Sequence, residues 1–128
     1  MLLPVVALVR RADLAEVIGA ALAARAAGAG VRAVAAGLGR PADTVRGWLR
    51  RFAARAEAVR AAFTALLVEC GPDPVVPAAT GSSVADAVAA VVGAWVAVAA
   101  RWPALGAVSP WLAACAATNG RLLAASWP

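Results

Sequence analysis

Five arginines and one aspartate fall within sixteen residues: Arg40, Asp43, Arg46, Arg50, Arg51 and Arg55. A guanidinium is permanently charged. It offers a rigid fork of donors that fits a phosphate, or the O6/N7 edge of guanine, through two hydrogen bonds. Arg46 and Arg50 lie one helical turn apart and are the candidates for contact with a base edge or phosphate. Arg40, Arg51, Arg55 and the upstream Arg32 suit phosphate contact. Ala42 and Gly47 keep the same face low. Gly47 also costs the helix about 1 kcal/mol against alanine, which a purely structural helix has little reason to accept. Asp43 opposes phosphate contact and suits either helix capping or discrimination at a cytosine.

The elements that position these residues are legible around them. Ala35 is the small residue where two helices nearly touch. Gly39, four residues on, marks a reversal, and Pro41 suits the first position of the next helix. Val45 and Trp48 follow at helical spacing, and Val34, Leu38 and Leu49 complete an apolar wedge. The spacing predicts a helix-turn-helix with helices at about 31–37 and from 41 onward. Its outer face carries Ala42, Asp43, Arg46, Gly47, Arg50 and Arg51. An earlier helix, from an Asp13/Glu16 capping box to about Ala27, supplies Leu14, Val17, Ile18, Ala21 and Leu22 as its inner stripe. Leu2–Val9 reads as a strand or an extended tail.

No glycine or proline interrupts the third helix between Gly47 and Gly71. Val45, Leu49, Phe52, Ala56, Val59, Phe63 and Leu66 recur in steps of four and three, a heptad seam. The seam can pack on the rest of the chain or form a homodimer through residues 45–66. Residues 71–81, with three prolines and two glycines, form a linker. Ser83 and Asp86 open a helix to about Trp102. It is apolar nearly all round and is expected to be covered on most sides. Ser109-Pro110 opens a last helix over about 111–118, ended by Asn119-Gly120. In the tail beyond it, Leu122, Leu123 and Trp127 can dock back. The expected fold class is all-α: a homeodomain-like three-helix unit with an extended third helix (1–70), a linker (71–81) and a C-terminal pair of helices (82–128).

Composition narrows the chemistry. All 12 basic residues are arginine, and His, Lys and Tyr are absent. That removes the commonest general base, the Schiff-base amine and every His-assisted nucleophile. Cys70 and Cys115 are too few for a zinc site or a disulfide framework, and the carboxylates are scattered. The chain reads as non-enzymatic, with no cofactor, metal or small-molecule substrate, and as cytoplasmic. Residues 1–60 carry a net charge of +6 and residues 61–128 a net −1. The positive field therefore belongs to the half with the arginine cluster, and a polyanion, double-stranded DNA, is its natural partner. Arg10-Arg11 follow the apolar start instead of preceding it, so it does not read as a signal peptide. The uncharged, Ala- and Val-rich run 87–100 is short of a bilayer span, and no membrane partner is expected. The mean hydropathy of +0.80 owes much to 39 alanines, and alanine is the best helix former.

The chain resembles a family of actinomycete helix-turn-helix proteins linked to transposase-type DNA-binding domains. The matching segments are Leu2–Pro4, Arg10–Asp13, Glu16–Leu22, Leu38–Pro41 and Thr44–Arg60, with Ser109–Trp111 and Gly120–Ala124 near the end. The resemblance implies DNA binding in a regulatory or mobile-element setting. Members of that family carry a cysteine-rich, zinc-binding segment ahead of the Leu-Leu-Pro. This chain starts at that point and is expected to be a shortened form.

Overall fold

A computed structural model describes the backbone of residues 5–71, 73–104 and 108–117, and the side chains of residues 14–71, 73–104 and 108–114. Among these residues all regular structure is helical: α1 (Val5–Ala26), α2 (Val31–Leu38), α3 (Ala42–Cys70), α4 (Ser83–Arg101) and α5 (Pro110–Ala117). The expected features of the tail, Asn119-Gly120, Leu122, Leu123 and Trp127, lie outside the described residues.

α1 and α2 end in the same way. Gly28 (φ 102°) and Gly39 (φ 64°) take left-handed backbone, which a Cβ would strain. At the first stop, Gly28 N–H donates to Arg25 O and Ala29 N–H to Ala24 O. At the second, Gly39 N–H donates to Ala36 O and Arg40 N–H to Ala35 O. Each is a Schellman motif, satisfying the carbonyls that a helix end orphans. Pro41 then turns the chain as the N-cap of α3, one residue earlier than the helical position expected for it. Proline fits there because the N–H it lacks would have had no helical partner.

α3 runs unbroken for 29 residues and forms the spine of the molecule. Val45, Leu49, Phe52, Ala56, Val59 and Phe63 are all buried, as the heptad spacing requires; Leu67, not the half-buried Leu66, closes the row. This seam is packed within the chain, chiefly against α4, which makes the most extensive contact of any helix with α3. A dimer using the same seam residues would have to open that packing.

α4 runs in the same direction as α3. A Cβ on Gly93 would lie 3.6 Å from Leu67 Cδ2. Arg60, farther back on α3, exerts its field on Asp86 near the start of α4. Residues farther along one helix thus meet residues farther along the other. The proline-rich linker is the return path, with Pro77 Cγ 3.7 Å from the same Gly93 position. Its twelve residues, 71–82, can reach about 40 Å, well beyond the ~20 Å of helix they retrace.

Two sequence expectations are corrected. α1 begins at Val5, so 5–9 is helix, neither strand nor extended tail, and Asp13 lies inside α1 instead of capping it. Glu16 therefore closes no capping box; it accepts a hydrogen bond from the Ser109 hydroxyl at the head of α5. The cap of α4 is Ser82, whose Oγ accepts from Ala85 N–H at 3.2 Å. Asp86 instead accepts from the Thr80 N–H (2.9 Å) and hydroxyl (2.8 Å), tying the linker to α4. α4 is covered on most sides, as its composition requires, and is open along one strip where Val92 and Val96 are exposed. By length and composition alone α4 could cross a membrane, yet Ala87, Ala90, Val91 and Ala94 are buried in the common core.

Candidate nucleic-acid interface

The first half of α3 presents the arginine cluster because its opposite side is held fast. Val45, Trp48, Leu49 and Phe52 are buried, and Val34 and Ala35 of α2 share their core. α1, α2 and α3 each contact the other two. At about 100° per residue, this anchoring turns the strip through Asp43, Gly47, Arg50 and Ala54 away from the core. Arg46 lies beside Arg50 on one side of that strip, and Arg51 and Arg55 lie together on the other.

Most of the expected residues are exposed: Arg32 in the first turn of α2, Arg40 after the glycine reversal, and Asp43, Arg46, Arg50 and Arg51 on α3. Two contacts join them. Arg46 Nη1 donates to Asp43 Oδ1 at 2.5 Å in an ion pair one turn long. A Cβ on Gly47 would lie 3.7 Å from Arg51 Nη2, so the Arg51 guanidinium lies along the helix over that glycine.

Three candidates differ from expectation. Gly47 is buried, not an open stretch of backbone, because Arg51 covers it. Ala42 is half-buried and packs against the core, which leaves little of its methyl for readout. Arg55 is half-buried as well, and its Nε is sealed from solvent without a hydrogen-bond partner. Its position on the flank of α3, one turn beyond Arg51 and next to the Trp48/Phe52 side, draws its stem inward.

The sequence concealed the supports on the far side of α1. A Cβ on Gly19 would fall 2.1 Å from Trp111 Cγ, so the bare backbone of Gly19 forms the seat for that indole. Trp111 is buried there, and Ser109, bonded to Glu16, also caps α5 by accepting from Leu112 N–H at 3.1 Å. Only the pairing of Gly19 with a helix that starts some 90 residues later gives it meaning, and single-sequence periodicity carries no such signal. A cavity of about 770 Å³ opens between the end of α3, the linker and α4, lined by Leu67, Cys70, Val75, Gly93, Val96 and Arg101. It lies at the opposite end of α3 from the arginine cluster. Among the described residues no group of three or more His, Cys, Asp or Glu converges on a point.

Comparison with protein-family models, curated proteins and solved structures finds no match.

Proposed function

We propose that this chain binds double-stranded DNA as a helix-turn-helix protein, with the first half of α3 (residues 42–55) entering the major groove. The observation that carries the reading is the two-sidedness of this segment. Val45, Trp48, Leu49 and Phe52 are buried, while Arg46, Arg50 and Arg51 stand in solvent directly after a tight glycine reversal. A helix held this way presents charged forks at the pitch of a groove. Arg32 and Arg40 add charge for the phosphates on either side. The N-terminal excess of positive charge points to the same partner. A homeodomain-like arrangement, a regulatory or mobile-element role and a cytoplasmic location belong to this proposal; for the role, the segments around Thr44–Arg60 are its support.

Random-sequence duplex DNA, titrated with the protein at increasing salt, tests it. Affinity should fall steeply, with a log–log slope approaching −0.9 for each phosphate neutralised. Arg50→Ala should weaken binding to random duplex and reduce the salt slope by about one, with no change in thermal stability. Absence of binding at low salt, or binding indifferent to salt, would overturn the proposal.

A second reading, a helical interaction or oligomerisation module, is favoured by one observation. Val75 (82% exposed), Val96 (54%) and Trp102 (48%) stand in solvent around the α4 side of the molecule. Such clustering is characteristic of protein contact surfaces. Sedimentation across a concentration series, without DNA, separates this reading from a monomer.

A further inference from the structure

Asp43 is out of place on a surface meant for phosphate. It stands in the first turn of α3, where an acid ordinarily caps the helix or complements its dipole. Yet α3 has no side-chain cap, and the hydrogen bond its carboxylate accepts comes from Arg46. The pair contributes little to stability: Asp43 is 95% exposed, Arg46 50%, and a surface pair of this spacing is worth a few tenths of a kcal/mol. Its effect is on the direction of the guanidinium. With Nη1 bonded to Oδ1, the remaining Nε/Nη2 edge is a two-donor fork biased toward one orientation before any ligand arrives, so less rotamer freedom is lost on docking. Water leaves such a surface on docking, and the pair strengthens as the local dielectric falls.

Resting on the DNA reading above, we infer that Asp43 is a specificity-determining residue: it positions Arg46 to read a guanine edge and repels phosphate from the same spot. Arg46 is then the base-reading arginine, while Arg50 and Arg51, whose guanidinium groups face no acid among the described residues, hold phosphates. A guanine offers two acceptors, O6 and N7, to the free fork. A phosphate in that place would face the Asp43 carboxylate as well.

The test uses the full chain and two probes: duplexes enriched by the wild-type protein from a randomised pool, and random-sequence duplex. Asp43→Asn should bind the enriched duplex less tightly and the random duplex more tightly. The ratio of the two affinities should fall about tenfold or more, and the salt slope on random duplex should steepen by about one. In an Arg46→Ala background, Asp43→Asn should leave the ratio unchanged. Both sites are exposed, so thermal unfolding of each variant should match wild type, which shows that folding is intact. An unchanged ratio in Asp43→Asn overturns the inference. So does a pool that yields no enriched sequence while random duplex still binds. Failure of every duplex to bind overturns the DNA reading itself, a result distinct from either.

Discussion

α3 and α4 lie side by side, run the same way and share one core, yet their outward faces are opposites. The first half of α3 shows Asp43, Arg46, Arg50 and Arg51 to solvent; α4 shows Val92, Val96 and Ala100. Their inner faces perform the same task with different materials. Along their shared length α3 buries Val59, Phe63 and Leu67, whereas α4 buries Ala87, Ala90 and Ala94. Large side chains on one helix and small ones on the other let the two backbones approach closely while filling the space between them. The consequence is a division of labour. Stability depends on the shared seam, and the recognition proposed above would depend on the outer face of α3, so substitutions on the two sides should have separable effects.

The largest expected effect comes from the seam. Trp48→Ala or Phe52→Ala should cost about 3–5 kcal/mol, read as a lower denaturation midpoint. Because Trp48 and Phe52 belong to the one hydrophobic cluster that also takes in α4, both halves should unfold in one transition. Two separate transitions would break the idea of a shared core. Gly19→Ala comes next. The added methyl cannot coexist with the Trp111 ring where it stands, and a loss of about 1–3 kcal/mol is expected. If α5 simply lifts away instead, Trp111 fluorescence will report an exposed indole. Gly47→Ala sharpens the contrast from the other side. Its Cβ meets only the end of the flexible Arg51 side chain, so thermal stability should rise by about 1 kcal/mol. A concurrent loss of DNA affinity, despite the gain in stability, would locate a close approach of the ligand at this residue.

The smallest effect is electrostatic. The Thr80 hydroxyl, then the Thr80 N–H, hold the Asp86 carboxyl below the usual aspartate range, with Arg60 adding to the shift and partial desolvation opposing it. A carboxylate with a depressed folded value contributes stability that is complete above its unfolded value, about pH 4, and is lost as pH falls through the lower folded one. Asp86→Asn should therefore make the unfolding midpoint less sensitive to pH on the acid side of about pH 4 and leave its neutral-pH slope alone. Thr80→Val should act in the same direction.

Much of α3 was readable from spacing alone. Its buried row, its unbroken length and its end at Gly71 follow from heptad steps and from the absence of a breaker, both local properties of the chain. The reversal at Gly39 was readable for the same reason, since only a residue free of a Cβ accepts that backbone without strain. The arginine cluster was readable as exposed because four consecutive anchors fix the rotation of the helix about its axis. The start of α1 is not legible in this way. Asp13 and Glu16 fit a capping box by type and spacing, but helix continues through them to Val5, and Glu16 instead meets Ser109 from far along the chain. Asp86, three residues after Ser83, likewise has the spacing of a capping box, yet it holds Thr80.

By itself, then, the order of residues determined the helices, the reversal between the second and third, and which side of α3 is charged, because these depend on interactions within a turn or two. Only the folded chain decided what fills the seam, that α4 lies parallel to α3, that Arg51 covers Gly47 while Arg55 turns inward, and that Gly19 seats Trp111. Each of those depends on which distant surfaces meet, and a guanidinium on a four-bond stem goes wherever the packed neighbours leave it room.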